Sequence, residues 1–258
     1  MNTKLLLFDL DGTLLRSDKT ISQRTLDVLE CCQKTGLLTG ISTSRSEQNC
    51  LSFLSELDPD ILIASGGAVV KCRENYIYTV EFSEAETSEM IALSRAVCGE
   101  DCQITIDTID QHFWNYKEDP SKSDASWGET IFTDYSDFHE RALKMCVEIP
   151  DSNTARRLSA LLPNCDCIRF SDGDWYKFTR KEATKENAIL TLCREIGVSL
   201  ENIIAFGDDL VDIGMLKLCG TGVAMGNALD EVKRAADTVI GTNDDDGIAI
   251  YLATHLGK

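Results

Sequence analysis

Apolar runs without polar alternation recur along the chain, separated by stretches with helical periodicity. Leu5–Phe8 is the first such run, Ile61–Ala64 is another, and residues 203–206 form a third. A strand has this pattern when neither of its faces meets water, as in a parallel sheet covered on both sides. The pattern therefore predicts an α/β core with a parallel central sheet.

Amphipathic helices are predicted between these strands. One is expected from Ser22 to near Gly36 and a second over residues 46–57. A third begins after Thr184 and stops at Gly197. Serine and threonine are favoured residues at helix starts, and glycine is favoured at helix ends. These residues therefore support the helix bounds that the periodicity predicts.

The middle of the chain has a different pattern, in which short strands alternate with helices. Ser83 and Glu86 have the spacing of a capping box at the start of a helix. Asp172-Gly173 is a typical hairpin turn, and the polar stretch 117–129 predicts a loop. A hairpin is predicted over residues 69–72 and 76–80, before this helix. The predicted strands after the helix cover residues 103–107, 113–116, 144–149, 167–170 and 175–178. This segment is therefore predicted to be an α+β unit inserted into the α/β core.

Two carboxylates follow the first apolar run, in the sequence Asp9-Leu10-Asp11-Gly12-Thr13. Aspartate and glycine are common in turns, so an ordinary turn is one interpretation. Neighbouring carboxylates repel, however, and that cost has to be offset by a cation or a proton. Active sites of parallel sheets lie at the carboxyl ends of the strands. The other interpretation is therefore that one of the two aspartates is a nucleophile and the other is a proton donor beside it.

Three further segments place polar groups at the ends of predicted elements. Thr43 follows a second apolar segment, Lys185 opens a predicted helix, and Asp208 and Asp212 come after the run 203–206. A lysine at a helix start is unfavourable next to the helix dipole unless an anion is present. A hydroxyl, a lysine and two groups of acids together are suited to handling phosphate with a hard divalent cation.

These four segments resemble the motifs of the haloacid dehalogenase (HAD) superfamily, and within it of the Cof-like subfamily with a type IIB cap. The motifs are, in chain order, Asp9-Leu10-Asp11-Gly12-Thr13, Thr43, Lys185, and Gly207-Asp208-Asp209 with Asp212. The resemblance implies a HAD-like Rossmannoid core with a parallel sheet and an inserted α+β cap domain. The core is expected over residues 1–81 and 180–258, and a substrate-specificity cap over residues 82–179.

The resemblance also implies a role for each motif. Asp9 is the expected nucleophile that forms an aspartyl-phosphate, and Asp11 the acid for the leaving oxygen and then the base for water. Thr43 and Lys185 are expected to bind phosphoryl oxygens. The implied cofactor is Mg²⁺, which prefers oxygen ligands. Its expected ligands are Asp9, the backbone carbonyl of Asp11, Asp208 and, in the outer shell or through water, Asp212.

The chain departs from the family pattern at several positions. Val211 stands where asparagine is usual, Ser44 where glycine is usual, and Gly66 where a second asparagine is common. The two missing asparagines would alter hydrogen bonding around the metal and the phosphate. The end of the chain fits the family better, since residues 222–228, followed by Glu231, Val232 and Lys233, resemble its last core strand and helix.

The expected activity is a Mg²⁺-dependent phosphatase that hydrolyses small phosphorylated metabolites through an aspartyl-phosphate. Sugar phosphates are the leading substrate class, followed by phosphorylated cofactors such as pyridoxal phosphate. Two alternatives remain. A phosphomutase would use the same intermediate but return the phosphoryl group, and a non-catalytic binding protein could use the same scaffold.

Composition narrows the class of partner. The 258 residues carry a formal net charge of -18 at pH 7, whereas nucleic acids and anionic membranes require a basic face. The expected partner is a small phosphorylated metabolite, and the expected state a monomer or weak homodimer. Asp9 interrupts the first apolar run and no stretch has the length of a membrane span, so a cytoplasmic location is expected. The eleven cysteines are then expected to be reduced thiols.

Overall fold

The computed structural model describes residues 3–116, 128–170 and 173–255. Most of the loop predicted over residues 117–129 lies outside the described residues, and so does Asp172 of the predicted hairpin turn.

The chain divides into two compact units. The first comprises Met1–Ser44, Phe53–Tyr78 and Thr184–Lys258. The second comprises Arg45–Ser52 and Thr79–Ala183.

Within the described residues the chain forms fourteen strands and eight α-helices. The strands are β1 (Leu5–Phe8), β2 (Leu38–Ser42), β3 (Ile61–Ala64), β4 (Val69–Cys72), β5 (Asn75–Thr79), β6 (Ile104–Asp107), β7 (His112–Trp114), β8 (Ile131–Phe132), β9 (Lys144–Glu148), β10 (Cys165–Arg169), β11 (Trp175–Arg180), β12 (Ile203–Gly207), β13 (Thr221–Ala224) and β14 (Thr238–Val239). The helices are α1 (Gln23–Lys34), α2 (Leu51–Leu57), α3 (Glu84–Cys98), α4 (Ser152–Leu161), α5 (Lys185–Ile196), α6 (Ile213–Leu218), α7 (Asp230–Ala235) and α8 (Gly247–His255).

An eight-stranded sheet forms the centre of the first unit, in the order β14-β13-β12-β1-β2-β3-β4-β5. The strands from β14 to β3 are parallel, and β4 runs antiparallel to β3. In β1, Leu5 lies opposite Ile203 on one side and Leu38 on the other. Every residue of β1 is buried, as expected for a strand covered on both faces. The predicted α/β fold with a parallel sheet is confirmed.

Capping residues set the ends of the main helices in this unit. The Ser22 side chain accepts a hydrogen bond from the backbone N–H of Thr25 at the start of α1. Thr184 accepts one from the N–H of Asn187 at the start of α5. Gly197 ends α5 with a left-handed φ of 67°, which glycine adopts without strain. Both helices therefore begin at the residues that the sequence predicted.

Several elements differ from the sequence prediction, among them the two-residue strand β8, which the hydrophobic pattern does not predict. The helix predicted over residues 46–57 becomes α-helical only at Leu51, after a 3₁₀ turn. Ser46 Oγ accepts the N–H of Asn49 and donates to Asn49 Oδ1, so local side-chain bonds compete with a regular helix start. The segment 222–228 does not contain the last strand, because β14 pairs with β13 at the sheet edge.

The second unit contains a six-stranded sheet in the order β10-β11-β9-β6-β7-β8. A buried core joins one face of this sheet to α3 and α4, and the capping box of Ser83 and Glu86 is present at the start of α3. The core residues are Phe82, Met90, Ile91, Ile104, Ile106, Phe113, Tyr135, Phe138, Ala142, Met145, Val147, Ile149, Ala155, Leu158, Leu162, Tyr176 and Phe178. The predicted α+β character of this unit is confirmed.

The other face of the six-stranded sheet carries a buried charge cluster. Asp107 on β6 lies opposite Lys144 on β9 and His112 on β7. Lys144 Nζ is 2.7 Å from Asp107 Oδ2, and His112 Nδ1 is 2.6 Å from Asp107 Oδ1. Burial would raise the pKa of Asp107, but the charge of Lys144 and the hydrogen bond from His112 lower it to about 2. Asp107 is therefore a buried carboxylate that depends on its cationic partners.

None of the helices in the described residues combines the length and the apolar character needed to cross a bilayer.

All eleven cysteines lie within the described residues and are present as free thiols. Burial raises the pKa of several of these thiols, to about 12 for Cys219, which keeps them protonated and weakly nucleophilic.

Candidate active site

The ends of three neighbouring strands bring predicted site residues to one edge of the sheet. Strands β12, β1 and β2 are adjacent and parallel. Asp208, Asp9 and Thr43 are the residues that directly follow them. Because parallel strands end at the same sheet edge, these three residues lie side by side although they are far apart in the sequence.

Lys185 joins the strand ends to helix α5. It is the first residue of the helix and is only 3% exposed. Its Nζ atom donates to Asp9 Oδ1 at 2.7 Å, to Asp212 Oδ1 at 2.7 Å and to the carbonyl oxygen of Ser42 at 2.6 Å. The sequence prediction that an anion accompanies this lysine agrees with the geometry, because two carboxylates surround it.

The charges in this group shift the pKa values of its members. Burial alone would lower the pKa of Lys185, but Asp212 and Asp9 raise it above its ordinary range. Burial raises the pKa of Asp9, and the charges of Asp212 and Asp208 raise it further, while Lys185 opposes them. One buried cation thus holds at least two carboxylates that would otherwise resist ionisation.

Asp212 organises the loop that follows β12. It is fully buried, and its Oδ2 atom accepts the backbone N–H groups of Asp208 at 3.0 Å and Asp209 at 3.1 Å. Its other oxygen contacts Lys185, so both oxygens of Asp212 already have partners within the protein. The Asp209 side chain caps the following 3₁₀ turn by accepting the N–H of Leu210.

Asp208 is held from the side of the first motif. Thr13 Oγ1 donates to Asp208 Oδ1 at 2.8 Å. A Cβ atom added to Gly12 would lie 2.3 Å from Asp208 Oδ2, and Gly12 has a φ of +75°. Glycine is therefore required here both for the backbone conformation and for the close approach of the carboxylate. Burial raises the pKa of Asp208 to about 7, although the Thr13 hydrogen bond opposes that rise.

The carboxylates form a group that fits a divalent cation. Asp9, Asp208 and Asp212 each offer an oxygen, and these oxygens lie within 4.8 Å of one another. A single lysine does not balance three acids. Burial is the main cause of the raised pKa values of Asp9 and Asp208, and the charges of neighbouring acids raise them further. A hard cation with oxygen ligands, such as Mg²⁺, matches both the ligand type and the excess negative charge.

Thr43 directly follows Ser42, a residue that contacts Lys185 of this group. Thr43 is buried, its N–H donates to the carbonyl of Ile63, and its carbonyl accepts the N–H of Gly66. The carbonyl of the preceding residue, Ser42, contacts Lys185. Gly66 has a φ of 72°, so glycine suits this position better than the asparagine that is common there in the family.

Asp11 has a different partner from the other predicted acids. Its carboxylate accepts a hydrogen bond from Lys19 Nζ at 2.8 Å, and both side chains are about one-third exposed. The carboxylate group within 4.8 Å described above consists of Asp9, Asp208 and Asp212. Asp11 is thus two residues from Asp9 in the sequence, but its carboxylate is paired with a different lysine.

The motifs alone do not indicate several contacts around the site. Thr13 was recognised as part of the first motif, but nothing in the pattern predicted its bond to Asp208. Asn227 Nδ2 donates to the carbonyl of Gly12, and Lys19 reaches Asp11 from a loop without a motif of its own. Long-range partners of this kind leave no local periodicity, so only the fold shows them.

Comparison with known proteins agrees with this geometry. A family model described as haloacid dehalogenase-like hydrolase matches residues 6–252. The 5-amino-6-(5-phospho-D-ribitylamino)uracil phosphatase YcsE of Bacillus subtilis (strain 168) is 29% identical over 259 residues, which cover 96% of this chain and 94% of that protein. The pyridoxal phosphate phosphatase YbhA of Escherichia coli (strain K12) is 27% identical over 284 residues, with coverages of 99% and 100%.

A solved structure extends the likeness to the fold. A sugar phosphatase of HAD subclass IIB is 28% identical to this chain, with a TM-score of 0.83 and 99% of each chain covered. The family model spans nearly the whole sequence, and the resemblance predicted from the four motifs is confirmed. The chain belongs to the haloacid dehalogenase-like hydrolases, a family of enzymes.

Proposed function

We propose that this hydrolase is a Mg²⁺-dependent phosphatase that removes the phosphoryl group of small phosphorylated metabolites through an aspartyl-phosphate. The observation that carries the proposal is the buried lysine between two acids: Lys185 binds Asp9, the candidate nucleophile, and Asp212 with the same amino group. This arrangement fixes one carboxylate at the strand end and supplies positive charge beside it.

The first half of the reaction transfers the phosphoryl group to the enzyme. An oxygen of Asp9 attacks phosphorus in line with the leaving oxygen, and the bond between phosphorus and that oxygen breaks. Asp11 gives its proton to the departing oxygen, which leaves as an alcohol. Thr43 holds one of the other phosphoryl oxygens. Lys185, whose three N–H groups contact Asp9, Asp212 and a backbone carbonyl in this structure, turns one of them to a second phosphoryl oxygen. The charge that develops there therefore meets a cation already in place.

The second half releases phosphate. Asp11, now a carboxylate, takes a proton from a water molecule as the water oxygen attacks phosphorus. The bond between phosphorus and the Asp9 oxygen breaks, which frees orthophosphate and restores Asp9. Asp11 regains the proton that it lost in the first half, so the enzyme returns to its starting state.

The residues that would hold Mg²⁺ are Asp9, Asp208 and the backbone carbonyl of Asp11, with Asp212 further out. Both oxygens of Asp212 already have protein partners, which favours an outer position for it. When bound, the cation supplies charge that offsets the acids and the phosphoryl oxygens. Burial is the main cause of the raised pKa of Asp208, and the charges of Asp212 and Asp209 add to it; a cation would relieve that excess of negative charge.

Sugar phosphates are the leading proposed substrates. The subclass IIB structure described above is that of a sugar phosphatase, and its likeness covers 99% of this chain. Pyridoxal phosphate is the second class, because the relative YbhA is named for it. We assign the choice of substrate to the inserted unit, predicted over residues 82–179. A cytoplasmic location and a monomer or weak homodimer remain predictions.

Phosphate release is the test of this proposal. Wild-type protein, Asp9→Asn and the surface control Asp27→Asn are assayed with p-nitrophenyl phosphate, sugar phosphates and pyridoxal 5′-phosphate, each with Mg²⁺ and with a chelator. We expect release that requires both Mg²⁺ and Asp9, with the exposed Asp27 dispensable. Full activity of Asp9→Asn would show that Asp9 is not the nucleophile. Phosphoryl transfer between positions on a sugar without free phosphate would favour the phosphomutase, and binding without turnover the non-catalytic protein.

A further inference from the structure

A second lysine, Lys19, contacts Asp11, one of the two candidate catalytic acids, and the family motifs do not include this lysine. Lys19 Nζ lies 2.8 Å from Asp11 Oδ1. The side chains of Lys19 and Asp11 are 37% and 34% exposed. An isolated ion pair at such exposure contributes little to stability, because both side chains lose conformational entropy when they pair. A functional role therefore requires that the lysine be held in place before it meets Asp11.

The backbone around Lys19 provides that constraint. Lys19 has a φ of +62°, a left-handed conformation that is uncommon for residues other than glycine. Its N–H donates to the carbonyl of Arg16, and the N–H of Arg16 donates to the carbonyl of Thr20, which closes a tight loop. The Asp18 side chain accepts two further bonds from Thr20. Strained conformations of this kind persist only where the surrounding contacts hold them.

The loop is in turn fixed to the last loop of the chain. Arg16 Nη2 pairs with Asp246 Oδ1 at 2.7 Å. The N–H and Oγ of Ser17 donate to the two carboxylate oxygens of Asp244 at 2.9 and 2.7 Å. Asn243 Nδ2 donates to the carbonyl of Leu15 just before the loop. The base of the Lys19 side chain is thus anchored on both sides, which reduces the entropy lost when it pairs with Asp11.

We propose that Lys19 is a positioning residue that fixes the carboxyl group of Asp11 for proton transfer to the leaving oxygen. This inference rests on the proposed phosphatase function. The contact uses Oδ1 of Asp11. An ammonium group can donate to Oδ1 whether the carboxyl group is protonated or ionised, and the same contact serves both halves of the reaction.

The role has a consequence that depends on the leaving group. Phenol is a poor leaving group that needs a proton as it departs, whereas p-nitrophenol leaves readily as an anion. The two aryl phosphates otherwise present the same phosphoryl group and ring. Loss of a positioned acid therefore slows the hydrolysis of phenyl phosphate more than that of p-nitrophenyl phosphate. Loss of a merely structural contact slows both to the same extent.

The experiment compares kcat/KM for these two substrates, with Mg²⁺, in wild-type protein and three full-length variants. Lys19→Met removes the charge and Lys19→Arg restores a donor. Lys34→Met is the matched control, because Lys34 pairs with Glu30 on the exposed face of α1. We expect Lys19→Met to lower kcat/KM about 10- to 100-fold for phenyl phosphate and less than about 3-fold for p-nitrophenyl phosphate. Lys19→Arg should recover most of the loss, and Lys34→Met should match the wild type.

Equal losses with both substrates, or no loss with either, would overturn the positioning role while leaving the phosphatase assignment intact. If wild-type protein hydrolyses neither compound, the proposed function fails and the role of Lys19 falls with it. The Mg²⁺ concentration for half-maximal activity is measured in parallel. It should be unchanged in Lys19→Met, and a large rise would instead place Lys19 in support of the metal ligands, against the inference.

Discussion

The amino group of Lys185 lies 2.7 Å from Oδ1 of Asp9, and both side chains are nearly inaccessible to solvent. The two residues are 176 positions apart in the sequence, one after the first strand and the other at the start of helix α5. A buried ion pair of this kind contributes only modestly to stability, because desolvation offsets most of the attraction. Its retention at a strand end therefore points to chemistry more than to folding.

Removal of Lys185 should affect both activity and stability. Lys185→Met leaves Asp9 and Asp212 as buried acids without their shared cation, so we expect undetectable turnover. The free energy of unfolding should fall by about 3–5 kcal/mol in the absence of added metal. Denaturant titration measures this, with Lys34→Met as an exposed control. Equal stability of Lys185→Met and wild type would contradict the electrostatic description of the site.

Gly12 should be intolerant of a side chain for two separable reasons. Gly12→Ala introduces both an unfavourable positive φ and a Cβ atom 2.3 Å from Asp208 Oδ2. Gly36 also has a positive φ, but no atom lies within 4 Å of a Cβ placed there. Both alanine variants should lose about 1 kcal/mol of stability from backbone strain. Only Gly12→Ala should lose activity, by about 100-fold, because it displaces a carboxylate of the site. Similar activity in the two variants would argue against the close approach.

Thr13 should support metal binding through Asp208. Thr13→Val removes the 2.8 Å hydrogen bond to Asp208 Oδ1 without much change of volume. Loss of a partner of this kind weakens metal binding by about 10-fold or more, so a higher Mg²⁺ concentration should be needed for half-maximal activity. Thr25→Val, at a buried threonine in α1, serves as the control. An unchanged Mg²⁺ requirement in Thr13→Val would show that this bond does not support the metal.

Asp11 should act in both halves of the reaction, but its side chain should not bind the metal. Asp11→Asn keeps the backbone carbonyl and loses the proton, so kcat should fall by about 100- to 10,000-fold. The Mg²⁺ requirement should stay close to that of the wild type, measured on the residual activity or by direct titration. Unchanged turnover accompanied by loss of metal binding would reverse the assignment.

The buried cluster of the second unit should make stability depend on pH at the acid end. The pKa of Asp107 is about 2 in the folded protein, below the ordinary value of 3.8. The stabilisation that ionised Asp107 contributes is therefore fully present at pH values above its ordinary pKa of 3.8. It is lost as the pH falls through the folded-state pKa of about 2. Asp107→Asn should be about 3–5 kcal/mol less stable than wild type at pH 7, because it leaves buried Lys144 without its carboxylate partner.

The difference between the two proteins should narrow as the pH falls from about 4 to 2, since wild-type Asp107 then becomes protonated as well. Denaturant titrations of both proteins across this range provide the measurement. A constant difference from neutral pH to pH 2 would show that the ion pair with Lys144 is not the source of the stabilisation.

The sequence placed the candidate site residues at one edge of the sheet because each motif follows a local signal. Asp9 and Asp208 come directly after continuous apolar runs, and Lys185 follows a threonine N-cap. These signals lie within a few residues of the groups that they locate, so periodicity and capping rules suffice.

The contacts that support the site could not be predicted in this way. Thr13 and Asp208 are 195 residues apart in the sequence, and the partner of Lys19 depends on how a loop is folded back. The strands β8 and β14 were missed because two residues are too few to show an alternation. The late start of α2 reflects side-chain bonds of Ser46 that compete with the helix, which the hydrophobic pattern does not record.

The covalent intermediate is the most direct test of the central claim. Wild-type protein is mixed with p-nitrophenyl phosphate and Mg²⁺, treated with borohydride during turnover, digested and analysed by mass spectrometry. Borohydride reduces an aspartyl-phosphate to homoserine. We predict homoserine at position 9, only when substrate and Mg²⁺ are both present. Continued phosphate release with Asp9 unmodified, or modification of a different acid, would contradict the account.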